Sequence, residues 1–519
     1  MTPTNRINFN VKDDGAYIFG YDSNNKLKVG IVKTEANYPF PPFSPSNLYP
    51  EYIFGYNCIQ PNNYVYEAVR NLFVLLGLDK DNLSKSTWNP LSGIIVPGDR
   101  VLIKPNFVNS YHLSGGDITC LITHGSVIRA VIDYVIIALN GEGCILIADS
   151  SERMADFKEI LKISQTDKVL EFYQSHNRDL GNINIEVRDL RREKIKYGYG
   201  AIAKRNYLKG DPEGYTVVDL GNDSEFTELT TGQLKRLYGA DYNRRETIKA
   251  HNIETNKYEI ANTVLNSDVI ISIPKLKTHY RVGTTLNTKG FVGTTGNKNF
   301  IPHRTLGDPT NGGDTYMVPP SSWREKGYRK LSDFLKDNLL GYKENTMTAI
   351  IYSFLISLYN FLIHPSSEEI KYIGGCWYGN DTCWRSTIDI ARIIYYCDKN
   401  GILRNVPQRR FFSIIDGIIG GEGDGPTKAS SKPAGCIIGG TNLIAVDIIA
   451  TLLMGFDYRK LKYLIHIQKK HNHNLSVNLK DINVESNIEN YKNILNLTRK
   501  ETLCFNPPQT WKGQMELEY

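Results

Sequence analysis

Five short aliphatic runs, each ending abruptly in charged or small polar residues, constrain this chain more than any other feature. The first is Val101-Leu102-Ile103, which enters from a Pro-Gly-Asp turn and leaves through Lys104-Pro105-Asn106. A helical pattern over residues 126 to 139, a Gly-Glu-Gly turn and the run at 144 to 149 (CILIAD) follow it. This β–loop–α–β order has the crossover length that a parallel strand pair requires. Further runs lie at 267 to 279 (SDVIISIPKLKTH), 411 to 426 (FFSIIDGIIGGEGDGP) and 434 to 440, the last leading into a helical pattern at 444 to 455. Continuous aliphatic strands separated by helices predict α/β architecture: a mostly parallel, Rossmann-like sheet with helices on both faces, plus insertions.

The expected organisation is an N-terminal extension and helix (1–88), a first part of the α/β core (89–318), a helical insertion (319–370), a second part of the core (371–460) and a C-terminal extension (461–519). Apolar spacing predicts a helix over 64 to 78. The uncharged stretch 347–363 (MTAIIYSFLISLYNFLI) is short and too rich in Ser, Thr and Asn for a spanning helix. It is expected to be buried or to lie on a membrane surface, with basic residues just upstream.

Composition narrows the function classes. With 61 Lys plus Arg against 55 Asp plus Glu over 519 residues, the excess of +6 is too weak to indicate a nucleic-acid partner. Eight scattered cysteines without a CxxC pair predict neither a zinc ribbon nor an iron–sulfur cluster. Sparse cysteine and a polar N-terminus without an apolar core predict a cytoplasmic protein, or one peripheral to the membrane through 347–363.

Ligands of open α/β sheets bind outside the carboxyl ends of the strands, and here those ends carry the chemistry. Lys104, Lys275, His279 and Asp149 are the candidate catalytic groups. Lys275, Lys277 and His279 alternate, so period 2 predicts one shared face. Lys277, Asn106, His124, Lys289, His303, Arg304, Trp377, Asn380 and Arg385 are expected to contact substrate. Asp314, Glu422 and Asp424, on Gly-rich turns, are the candidate ligands of a divalent ion. The Gly/Thr/Asn/Lys stretch at 282 to 304 offers backbone N–H groups to an oxyanion but matches no nucleotide-binding fingerprint.

The blocks VLIKPNF, ITHGSVIRAVIDY, ILIADS, SDVIISIPKLKTH, NKNFIPHR, GGCWYGNDTCWR and IIDGIIGGEGDGP, in this order, resemble the DUF362 family in its longer form without a ferredoxin module. The resemblance runs from about residue 60 to 460. It implies a cytoplasmic α/β protein of a kind often encoded beside cell-surface polysaccharide or secondary-metabolite genes, and it implies no known reaction. Together the residues and the resemblance predict an enzyme that acts on a phosphorylated or nucleotide-activated sugar or a carboxylate, by proton or group transfer, as an isomerase or transferase. The alternative is a non-catalytic membrane-surface scaffold or binding protein of a polysaccharide assembly.

Overall fold

The computed structural model describes residues 26–363 and 374–518. The polar N-terminal stretch that bears on a leader lies outside the described residues.

Ten strands form one sheet: β1 (Leu27–Lys33), β2 (Arg100–Pro105), β3 (Glu142–Asp149), β4 (Asn182–Asp189), β5 (Val269–Ile273), β6 (Lys275–His279), β7 (Gly283–Thr285), β8 (Arg410–Glu422), β9 (Ser430–Gly440) and β10 (Ile482–Ser486). Their order is β10-β1-β9-β8-β5-β2-β3-β4, with β6 beside β8 and β7 beside β6. From β8 to β4 every pairing is parallel, and β9 runs antiparallel to both of its neighbours. The sheet is therefore α/β and mostly parallel, as the aliphatic runs predict. β1 and β10, which carry no long aliphatic run, complete it from the two ends of the chain.

Six helices matter here: α1 (Tyr64–Leu75), α2 (Gly125–Leu139), α3 (Trp323–Leu335), α4 (Thr346–Ile363), α5 (Cys383–Tyr396) and α6 (Leu443–Leu453). One core packs α1 and α2 against one face of the sheet, and a second packs α5 and α6 against the other. α2 buries every residue except Ile137, so truncating one of its central aliphatics, such as Ile132→Ala, costs about 2–5 kcal/mol. Side chains cap α1 and α2: Asn63 accepts from Tyr66 N–H and His124 from Ser126 N–H, each replacing a lost intrahelical partner.

Pro274 shapes the site. The run at 267 to 279 reads as one strand, but it is two. Proline has no N–H to give to the ladder, and β5 keeps its pairing with β2 only as far as Ile273 opposite Pro105. Beyond it β6 pairs with β8 and β7 instead. The chain leaves β2 at the carboxyl end of the sheet and opens a crevice there.

α4 forms over the expected stretch, but only 11% of it is buried. It is not an interior helix.

Candidate functional site

Loops from four strand ends line a cavity of about 370 Å³ in that crevice. After β2 come Asn106 and Val108; after β3, Asp149 to Met154; from β6 and just beyond it, Lys277, His279, Tyr280 and Arg281; from the following Gly/Thr stretch, Thr285, Lys289, Gly293, Lys298, His303 and Arg304. Six basic side chains face two carboxylates in the lining.

Two of these charges are already neutralised. Asp149 lies 2.8 Å from Lys104 Nζ, and its other oxygen accepts from Phe107 N–H at 2.6 Å. This buried pair forms one wall, against which Gly293 packs so closely that a Cβ there would sit 2.1 Å from Asp149 Oδ1. Arg153 pairs with Glu193 at 2.9 Å and with Asp241.

The rest of the charge is not matched. Lys277 Nζ donates to Leu121 O at 2.6 Å and has no carboxylate partner; burial pushes its pKa down to about 7. Lys298 Nζ donates to Ser150 O at 3.0 Å, and burial likewise lowers it to about 7. Lys289 is lowered by burial too, and among the described residues its ammonium has no hydrogen-bond or ion-pair partner. Among the described residues Glu152 also lacks a partner for its carboxyl group. Burial raises its pKa, while Lys277, Arg281, Lys289 and Lys298 pull the other way.

Both histidines are neutral, because burial, with Lys289 and Arg281 next in weight, holds them well below their usual range. Their tautomers follow from their neighbours. His279 Nδ1 accepts from Arg281 N–H at 3.1 Å, which leaves the proton on Nε2. His303 Nδ1 donates to Ile301 O at 2.7 Å, which leaves Nε2 a bare acceptor. The cavity thus holds one imidazole donor and one imidazole acceptor.

Four buried polar atoms in this wall have no hydrogen-bond partner among the described residues: Asn106 Oδ1, Ser150 Oγ, Ser151 Oγ and Thr285 Oγ1. An unsatisfied buried polar group costs about 1–3 kcal/mol, and water or a polar ligand meets such groups.

The remaining candidates from the sequence lie elsewhere. Lys104 stands behind Asp149 and does not line the cavity. Lys275 is fully buried, 3.0 Å from Asp416 and hydrogen-bonded to Tyr38, so its ammonium is already matched and it does not line the cavity. Between the partners of Lys275 and Lys277, β8 advances from Asp416 to Gly421. His124 caps α2, stacks on Tyr38 at 3.9 Å and is lowered to about 3 by burial, then by Lys275.

Trp377 donates its indole N–H to Asp314 O at 2.8 Å. Asn380 accepts from the N–H groups of Thr382 and Cys383 at the start of α5, and Arg385 pairs with Glu228 and Asp381. These three hold the 374–385 segment together away from the cavity. The three expected metal ligands do not converge. Asp314 accepts from Thr305 N–H, Asp381 N–H and Thr382 Oγ1; Glu422 from Asn506; Asp424 from Gln509 N–H.

Glu152, Arg281 and Thr285 are lining residues that the sequence does not single out. The Ser-Ser-Glu-Arg that directly follows a strand-end aspartate was the available signal.

Residues 206–451 match the family model DUF362, a domain of unknown function. This is the family that the sequence blocks resemble, over a narrower span than 60 to 460. No curated protein matches the chain. The wall carrying Asn106 and residues 149–153 lies outside the matched segment, so the matched segment and the preceding residues build the cavity jointly.

Proposed function

We propose that this protein, whose residues 206–451 are a DUF362 domain, is an enzyme that binds an anionic small molecule in the strand-end cavity and moves a proton on it. The carrying observation is the conjunction in one cavity of Lys277, Lys289 and Lys298, none with a carboxylate partner, and four orphaned buried polar atoms. A phosphate or carboxylate supplies what each lacks: negative charge for the lysines, and lone pairs or protons for the hydroxyls. Its arrival also favours the protonated lysines, so binding charges the site.

In this reading Lys289 and Lys277 hold the anion, with Arg281 and Arg304 beside it. Glu152 is the proton-transfer group, a carboxyl raised by burial in the manner of a general acid or base. His279 Nε2–H donates to a substrate oxygen and His303 Nε2 accepts from a hydroxyl. Developing negative charge on the substrate would be met by fixed cations. That suits isomerisation or group transfer on a phosphorylated sugar or a carboxylate, and the cavity lies within the range of small-molecule sites. A nucleotide-activated sugar and a place in polysaccharide or secondary-metabolite synthesis rest on the family resemblance alone. Eight free cysteines support a reducing, cytoplasmic setting.

The test is a thermal-shift and calorimetric series with inorganic phosphate, sugar phosphates, small carboxylates and their uncharged counterparts. Ligands of the native state raise the melting temperature. The anionic members should do so for the native protein and not for Lys277→Ala/Lys289→Ala. If no anion shifts the native protein, or if the double variant responds equally, the reading fails.

The alternative, a non-catalytic scaffold at a membrane surface, draws on the exposure of α4. It leaves the uncommitted groups of the cavity without a role.

A further inference from the structure

The hairpin formed by α3 and α4 sorts its residues by chemistry. Around α4 the exposed positions after Thr346 recur at helical spacing: Met347, Ile350, Ile351, Phe354, Ser357, Leu358, Phe361 and Leu362. Seven of the nine exposed positions are apolar, and Phe354 and Phe361 are 62% and 70% exposed. At about 1.5 Å per residue the stripe is about 22 Å long, well beyond the scattered apolar side chains normal on a soluble surface.

α3 adds a second exposed line: Trp323 (69%), Lys326, Lys330 and Phe334 (61%), with Arg324 beside it and Tyr342 and Lys343 at the turn. Ion pairs and burial turn the acids inward. Glu325 is buried against Arg329, Asp333 accepts from Tyr316, Asp337 pairs with Arg244 at 2.8 Å and accepts from Tyr238, and Glu344 pairs with Arg205. These are the four acids between residues 323 and 363. The hairpin's outer surface thus presents apolar and aromatic side chains with Arg324, Lys326, Lys330 and Lys343, and none of its acids.

We propose that this hairpin docks the protein onto an anionic lipid bilayer surface, with the α4 stripe entering the acyl boundary and the α3 cations meeting lipid phosphates. Charge complementarity selects the occupant. An aqueous protein partner would have to match an apolar stripe that, among the described residues of the hairpin, is bordered by cations and no outward acid, whereas an anionic leaflet offers both halves in that arrangement. Trp323 and Tyr342 stand where amphipathic rings favour the headgroup level. Docking places the active-site side of the molecule close to the bilayer, since α4 packs on the 193–207 ribbon whose Ile195 and Tyr197 line the cavity.

The test uses the full chain in flotation with phosphatidylcholine vesicles and with vesicles that also contain phosphatidylglycerol. The native protein should float with the anionic vesicles and be released by salt. Phe354→Glu/Phe361→Glu should remain at the bottom with an unchanged circular dichroism spectrum, because both side chains are more than half exposed. Lys326→Ala/Lys330→Ala should lower partitioning roughly 25-fold, at about fivefold per cation near an anionic surface. Failure of the native protein to float, or flotation indifferent to both double variants, overturns the proposal. So does a lipid-free dimer that Phe354→Glu/Phe361→Glu dissociates, which would assign the face to a second copy. None of these outcomes bears on anion binding in the cavity.

Discussion

Lys275 and Lys277 stand two residues apart on one strand, yet their ammonium groups finish in opposite chemical states. Lys275 Nζ is 3.0 Å from the Asp416 carboxylate, and Lys277 Nζ is 2.6 Å from the Leu121 carbonyl with no acid to match it. Removing them should therefore have different consequences. Lys275→Ala strands a buried carboxylate and should cost about 3–5 kcal/mol in urea unfolding. Lys277→Ala removes a cation that is costly to bury and should leave stability equal or higher, while abolishing the anion-induced rise in melting temperature. Equal stability losses in the two variants would erase the distinction between a structural and a binding lysine.

The pH response of stability follows from Lys277 and Lys298. Each has a folded pKa of about 7 against an ordinary value of 10.5, lowered by burial. Between those values the unfolded chain holds the proton and the folded protein does not, so stability rises with pH across pH 7 to 10.5, by up to about 1.4 kcal/mol per unit for each lysine. Anion affinity should run the other way and weaken as pH climbs through 7 and the lysines discharge. Denaturant melts and phosphate calorimetry over this range measure the two slopes, and in Lys277→Ala/Lys298→Ala both should flatten.

The parallel sheet was legible because long aliphatic runs bounded by Pro, Gly and charge have few other uses, and the position of the site followed from where those runs stop. Three physical details were not legible. The alternation of Lys275, Lys277 and His279 does not tell which lysine meets an acid, because Asp416, the partner of Lys275, comes from a strand far along the chain. Trp377, Asn380 and Arg385 are residue types that suit substrate contact, but an indole N–H and a guanidinium are equally well employed on Asp314 O and the Asp381 carboxylate. Glu152 escaped notice because an acid one loop beyond a strand end is common. Only its isolation among lysines marks it, and that is a property of packing.

Glu152 gives the sharpest separation of binding from chemistry. Its carboxyl has no partner and is raised by burial, so its folded-state pKa lies above its unfolded value. Its favourable contribution is present at acid pH and is lost as pH rises through the folded pKa. At neutral pH Glu152→Gln should leave the melting temperature unchanged or slightly raised and should tighten anion binding, since one negative charge leaves a cationic cavity. Turnover of any substrate found for the native protein should fall by 10²–10⁴-fold, as expected when a general acid or base is removed. Weaker anion binding in Glu152→Gln would place the residue among the ligand contacts instead.

Gly293 tests whether the Lys104–Asp149 pair serves the cavity as a wall. A Cβ at residue 293 would lie 2.1 Å from Asp149 Oδ1 and 2.8 Å from Lys104 Nζ, nearer than any side chain can stand. Gly293→Ala must therefore push the aspartate away from its lysine or shift the 291–298 segment outward. Overpacking of this kind costs about 1–3 kcal/mol. The same segment carries Lys298, and Gly293 O accepts from Ser150 N–H at 2.7 Å, so the displacement should reach the orphaned serine hydroxyls as well. Calorimetry should show anion affinity reduced at least tenfold in a protein that still unfolds cooperatively. Native-like affinity in Gly293→Ala would mean that the ligand does not touch this wall, and the site would then have to be redrawn around Lys289, Arg281 and His303 alone.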